Sequence, residues 1–325
     1  MSVVLALLIA GAACGALTPI VIVGLRKAGT FDLPNDRSSH TEVLPRGGGI
    51  AIAVSVFVAL LAAGSGDGTI IQLLLIALAL AALGLLDDRR GMSAIIRLGI
   101  QLLAGVAVGM VVGRASNYSA ILLISSVIVM VYGINAFNFM DGINGISSTH
   151  GALFALVLAV ELLHLGESDG GILAVALIGA ALAFLPYNFP KARVFLGDVG
   201  SYFIGGLLAA LAVYSVAVGA SPLLIASVSG YYIVDTATTI VVRIRRRANI
   251  FEAHRDHVYQ LLVRSGRSHT TSTFVALGLS LLGLVSALLF SRFLARSVTL
   301  ALTFALVLVV VTLVRYRLTT RRVQS

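Results

Sequence analysis

The sequence predicts an all-α, polytopic integral membrane protein of about eleven transmembrane helices, or ten if one apolar run fails to cross. Three observations predict it. Of 325 residues, 58% are hydrophobic and only 11% are Asp, Glu, Lys or Arg, and the mean hydropathy is +1.02. A soluble domain carries about 25% charged residues and about 45–50% apolar ones. Secondly, apolar runs recur at close to the 20 or so residues that cross a bilayer. Thirdly, Lys and Arg alternate with those runs so that 20 of the 23 basic residues fall on one side. Disorder is excluded because a disordered chain lacks apolar mass. A disulfide scaffold is excluded because Cys14 has no partner cysteine in the chain.

Eleven candidate spans follow one another: residues 2–25, 47–64, 69–86, 98–113, 119–134, 150–165, 171–187, 201–219, 222–242, 271–291 and 297–314. The first has no basic segment before it and its apolar run is too long for a signal peptide, so it reads as a retained helix. The fourth, fifth and sixth are short and should extend into their flanks. None has the alternating ten-residue pattern of a membrane barrel. Backbone amides in lipid must be satisfied within their own segment, so the spans are helices.

The connections at 26–46, 87–97, 135–149, 188–200 and 243–270, with the tail after 314, hold the basic majority, while the opposite connections hold Arg114, Arg292 and Arg296. This asymmetry predicts a cytoplasmic first set, an outside N-terminus and a cytoplasmic C-terminus. The net charge of +9 is then a topology signal and a headgroup contact, with no need of nucleic acid. The chain reads as one transmembrane domain, 1–325, with its working surface on the longer cytoplasmic loops.

Nine of the fourteen acids lie in those loops, and the polar residues form five clusters. Asp87 and Asp88 end the third span; adjacent carboxylates repel and need a cation or an arginine. Either Arg89 and Arg90 pair with them on a wet helix end, or they serve a site. Asn135, Asn138, Asp141, Gly142, Asn144 and Gly145 follow the fifth span. Such a stretch is a poor helix interior and a good tight turn, and its hard oxygens suit Mg²⁺. Gly197-Asp198-Val199-Gly200-Ser201 opens the eighth span, setting a carboxylate beside free backbone N–H groups; a plain N-cap explains the acid but not the glycines. In the fourth cluster, Glu252, His254, Arg255, Asp256 and His257 lie in the long basic loop. Zinc is disfavoured there for want of a third soft ligand, and His and Arg suit a diphosphate or its sugar. The alternative is a basic surface touching anionic lipid. The fifth runs from Pro34-Asn35-Asp36-Arg37-Ser38-Ser39-His40 to Arg46-Gly47-Gly48-Gly49; its glycines fit either close approach to a ligand or close helix packing. Asp235 lies within the ninth span, where a carboxylate must be paired or wet.

The order of these motifs resembles one family. DD after a helix, N-x-x-N-F-x-D-G-I-x-G, F-x-G-D-x-G-S and a His-containing loop match the polyprenyl-phosphate N-acetylhexosamine-1-phosphate transferases of glycosyltransferase family 4, the MraY/WecA type. The matched segments run from Asp32 to Gln260. The opening D-x-P-N-x-R-S-x-H and the loop A-H-R-x-H-x-Y-Q look more like the WecA and WbpL-like branches. The resemblance implies transfer of a sugar-1-phosphate from a UDP-N-acetylhexosamine-type donor to a polyprenyl phosphate at the cytoplasmic face of the inner or plasma membrane. UMP leaves, and the lipid-linked product starts a cell-surface polysaccharide. It also implies Mg²⁺, or Mn²⁺ in its place, and it leaves a homodimer open.

By that resemblance Asp198 is the metal ligand, with Asn138 the second. Asp87 or Asp88 acts on the lipid phosphate, as base or nucleophile, and Asp141 supports metal or nucleotide. Donor or lipid is held by Arg46, Asn135, Asn144, Asn188, Gly197, His254, Arg255 and His257. Asn144 stands where the family commonly has a second Asp, so its oxygen is kept and its charge lost. Two rival classes differ in what they require. A transporter predicts polar groups at mid-membrane and broken helices; a lipid-binding scaffold needs basic residues but not the carboxylate and Asn-Gly turns.

Overall fold

The computed structural model describes residues 3–33, 42–64, 66–249 and 254–320. The expectations for 34–40 and for Glu252 lie outside the described residues. The chain is helical almost throughout: α1 Val3–Lys27, α2 Gly49–Ala63, α3 Gly68–Arg90, α4 Ala94–Ala115, α5 Ala120–Met140, α6 Ile146–His164, α7 Ser168–Asn188, α8 Gly197–Ala217, α9 Pro222–Val228, α10 Gly230–Arg245, α11 Val258–Arg264, α12 His269–Phe290 and α13 Arg296–Thr320. A two-residue pairing of β1 (Phe31–Asp32) with β2 (Leu44–Pro45) is the strand content among the described residues.

Among the described residues, nine helices are long and apolar enough to cross a membrane, and the bent pair α9–α10 makes up to ten. The chain is a polytopic membrane protein. Two of the eleven expected spans need correction. The run at 47–64 gives a helix of 15 residues, which at 1.5 Å per residue spans about 22 Å, short of a hydrocarbon core of about 30 Å. The run at 222–242 is apolar enough to pass as one span, yet it is two helices bent by 60°. The break falls at Ser229–Gly230, a pair that yields easily. Opposite it, Gly283 of α12 lies so close to the Ser227 carbonyl that a side chain there would collide with it.

α8 is the hub. It packs against α3 and α5, and every residue from Val199 to Ser215 is buried. Glycines let its N-terminal turn be crossed at backbone distance. A Cβ on Gly84 of α3 would run into the Asp198 carbonyl, and one on Gly49 of α2 into Gly200. The glycine run at 47–49 therefore serves close packing, one of its two readings. In the same place, Gly47 and Gly48 donate to the Phe195 carbonyl at 3.2 and 2.9 Å, and Gly49 to Leu196 at 2.9 Å.

Candidate active site

Asp88, on the last turn of α3, has a fully buried side chain. Its Oδ1 accepts from the Asp198 N–H at 3.0 Å and its Oδ2 from the Val199 N–H at 3.1 Å. It thus satisfies two amides that open α8, which local capping by Asp198 or Ser201 would have left to their own side chains. Arg46 enters from the turn before α2, with Nε 2.6 Å from Asp88 Oδ1 and Nη2 2.7 Å from Asp198 Oδ1. Burial works against its charge; Asp198 and Asp88 outweigh that and hold the guanidinium above its ordinary range. Asn138 completes the knot, donating through Nδ2 to Asp198 Oδ1 at 2.8 Å and to Ser201 Oγ at 3.3 Å. Gly197 begins α8 at φ +76°, with Asp88 and Gly47 against the face where a side chain would stand; glycine alone takes that conformation cheaply.

Asp87 is held apart from Asp88. Its Oδ1 accepts from the Met92 N–H at 2.7 Å, and its Oδ2 from Arg97 Nη1 and the Tyr202 hydroxyl, both at 2.9 Å. The cations for the DD pair are therefore Arg46 and Arg97, while Arg89 and Arg90 stay exposed.

α5 runs on through Met140, so Asn135 and Asn138 stand on its last turns, not in the expected turn. Lost helix propensity is offset by one tertiary and one local bond: Asn135 Nδ2 donates to Gln101 Oε1 of α4 at 2.6 Å and to the Val131 carbonyl one turn back at 2.7 Å. The turn itself is Asp141–Gly145. Burial pushes the Asp141 carboxyl up to about 7, and Asp198 and Asp88 push the same way against Arg46. Tyr259 of α11 clamps the segment from outside, its hydroxyl donating to the Phe139 carbonyl at 2.9 Å.

The remaining expected residues divide. His254 and His257 share a cavity of about 470 Å³ with Arg97, Asn135, Asn138 and Arg243. Burial, with His257 and Arg243 nearby, lowers His254 to about 4. Arg255 is not among the residues lining that cavity. Asn188 and Asn144 make backbone anchors. Asn188 accepts from the Gly145 N–H at 2.7 Å and donates to the Val194 carbonyl at 2.9 Å, tying the Asp141 turn to the segment before Asp198. Asn144 donates to the Pro190 carbonyl at 2.9 Å. Sequence reasoning missed Arg97, Gln101, Thr239 and Arg243, which also line the cavity with Gln260 of the histidine loop motif. Arg97 and Arg243 read only as topology charges, and Gln101 and Thr239 carry no pattern.

Beside this polar cavity, an apolar groove of about 570 Å³ runs along α4, α5 and α10, and the two share Asn135, Phe139, Thr236 and Ile240. Among the described residues no three His, Cys, Asp or Glu side chains are grouped to hold a metal by themselves. The donor chemistry still suits a divalent cation. Asp88, Asp141 and Asp198 lie within one another's field with Arg46, a surplus of buried negative charge. Mg²⁺ is commonly held by one or two carboxylates and completed by phosphate and water.

The family model for glycosyl transferase family 4 matches residues 70–216. The chain is 28% identical over 312 residues to a probable undecaprenyl-phosphate N-acetylglucosaminyl 1-phosphate transferase of Bacillus subtilis, covering 91% of this chain and 85% of the relative. To the decaprenyl-phosphate N-acetylglucosaminephosphotransferase of Mycobacterium tuberculosis it is 30% identical over 252 residues, 65% of this chain and 62% of that longer relative. A phospho-N-acetylmuramoyl-pentapeptide-transferase of Symbiobacterium thermophilum is 38% identical over 117 residues, 35% of this chain and 34% of its own length.

Proposed function

We propose that this chain, whose residues 70–216 match the family model for glycosyl transferase family 4, moves an N-acetylhexosamine-1-phosphate from a UDP-linked donor onto a polyprenyl phosphate. A lipid phosphate oxygen attacks the sugar-bearing phosphorus, the bond to the UMP oxygen breaks, and polyprenyl-diphosphate-sugar and UMP result. One observation carries the reading: Arg46, Asp88, Asn138 and Asp198, from four separate segments, meet beside a polar cavity that adjoins an apolar groove. Phosphoryl transfer between anions is mainly a matter of placement and charge neutralisation. The polar cavity suits the nucleotide and the two phosphates; the groove suits an isoprenoid tail.

Asp198 and Asn138 would hold Mg²⁺, or Mn²⁺, with Asp141 in support. Bound there, the ion would neutralise diphosphate charge and polarise the transferred phosphoryl group. Asp88 has both oxygens engaged in opening α8, so its part is to hold Asp198 in position. Arg97, held in place by Asp87, is the better group for the lipid phosphate, because it lines the cavity and a guanidinium binds phosphate in a fork. His254 and His257 face the nucleotide-sugar. The positive-inside asymmetry supports a cytoplasmic site in the inner or plasma membrane with the N-terminus outside, and a homodimer fits the same reading.

The transporter alternative lacks support. The α9–α10 break is the feature it would need, but the intramembrane carboxylate beside it, Asp235, is fully engaged by Arg315 and the Val258 N–H. The test is UMP release by purified protein given polyprenyl phosphate, Mg²⁺ and a panel of UDP-N-acetylhexosamines. Transfer from one donor, strongly reduced in Asp198→Asn, is the expected result; no release with any donor overturns the reading.

A further inference from the structure

We propose that Arg315, on the last helix of the chain, is a positioning residue for the donor-binding loop and acts through Asp235; this rests on the transfer reaction proposed above. Asp235 sits in α10 with no exposed surface, where an ionised carboxylate needs strong partners. Partners reach it from the junction of the loop with α11 and from α13. The Val258 N–H donates to Oδ1 and Oδ2 at 3.1 and 3.2 Å, His257 Nδ1 lies 3.3 Å from Oδ2, and Arg315 Nη2 lies 2.9 Å from Oδ1. Arg315 also reaches past the carboxylate. Its Nη1 donates to the Asp256 carbonyl at 2.8 Å and its Nη2 to Thr239 Oγ1 at 2.6 Å. Arg243 grips the same stretch from α10, with Nη1 2.9 Å from Asp256 Oδ2.

The effect is to fix His257 from both sides. Asp256 and Val258 bracket His257, and each is bonded through its backbone to Arg315 or to the carboxylate that Arg315 neutralises. His257 is thereby held at the cavity wall beside His254 and Gln260. Simple neutralisation of a buried acid would need a cation at Oδ1 and nothing more. The second arm, to the Asp256 carbonyl, is what a positioning role adds, and a planar guanidinium can supply both arms where a lysine ammonium supplies one point charge.

That difference makes the test. In the full-length protein, Arg315→Lys keeps the charge, and the double variant Asp235→Asn, Arg315→Gln removes it without stranding a buried acid. The readouts are UDP affinity by calorimetry, KM for donor and for polyprenyl phosphate, and hydrogen exchange at 257–260. Both variants should bind UDP about tenfold or more weakly, the loss of one to two charge-assisted hydrogen bonds. Donor KM should rise with lipid KM unchanged, and protection at 257–260 should fall, while Arg315→Lys melts close to wild type. UDP affinity and loop protection at wild-type level in both variants would overturn the inference and leave the transfer reading intact. An equal rise in both KM values would overturn it too. A wild-type protein that neither binds UDP nor transfers overturns the transfer reading, and the inference falls with it.

Discussion

Arg46 is shared by two buried carboxylates, and that sharing sets the chemistry available to the site. Its two nitrogens lie 2.6 and 2.7 Å from Asp88 and Asp198. Removing one member of such a set leaves uncompensated charge, which costs about 3–5 kcal/mol. Arg46→Ala should therefore lower the melting temperature in detergent by several degrees and abolish transfer, and added Mg²⁺ should recover part of the stability. Arg46→Lys, which cannot fork, should retain more stability than activity. At Asp198 the expectation differs in kind. Asp198→Asn keeps a hydrogen-bonding side chain for Arg46 and Asn138, so the fold should hold while the rate of UMP release falls by about 10²–10³-fold. A variant that melts normally and still transfers at more than a tenth of the wild-type rate would contradict the assignment. The cation partner of Asp88 was not legible in the sequence: Arg89 and Arg90 are adjacent in chain, while Arg46 is 42 positions away in sequence from Asp88, and adjacency is not proximity at a helix end.

Among the elements, α8 and the loop before α11 carry the site. Gly84 and Gly49 bring α3 and α2 against the first turn of α8, so a branched residue at either position forces the helices apart. Gly84→Val should destabilise the protein by about 1–3 kcal/mol and lose transfer in greater proportion, because Asp88 would no longer reach the Asp198 and Val199 amides. Melting temperature and UMP release measured together check this. The histidine loop is sensitive to pH. His254 titrates at about 4 in the folded loop, because burial and then His257 and Arg243 disfavour its charge, against an ordinary value near 6.5. An opened loop takes up a proton first, so the contribution is complete above about pH 6.5 and is lost as pH falls from there towards about 4. Asp256, held below the usual carboxylate range by Arg243 although burial works the other way, stays ionised through that interval. The melting temperature of wild type relative to His254→Gln should therefore fall between about pH 7 and pH 5, a difference that removes the opposite contribution of Asp141, whose raised carboxyl takes up its proton in the fold.

For the whole molecule, the bundle gathers the described parts of the polar clusters at one end, and the apolar groove along α4, α5 and α10 adjoins them. The side of the membrane on which that end lies is open to direct measurement. Cys14, the single cysteine, is fully buried and leaves the background clean. Ser265→Cys and Ser168→Cys stand on exposed residues at opposite ends. With the positive-inside orientation, an impermeant maleimide added to intact cells should label Ser168→Cys and spare Ser265→Cys until the membrane is opened. The reverse pattern would invert the topology.

Composition and spacing by themselves determined that the chain is a helical membrane protein and roughly where its long apolar helices lie. Those properties are local: a run of apolar residues is hydrophobic whatever it packs against. Only the tertiary structure decided that α2 is short, that the ninth run breaks at Ser229–Gly230, and that Asn144 and Asn188 bind backbone. It also decided that Asp235, unreadable as a residue alone, answers to Arg315, 80 positions away. A buried carboxylate is stable only with a partner, and no local pattern names the partner. Packing does, through glycines small enough to let one helix end touch another.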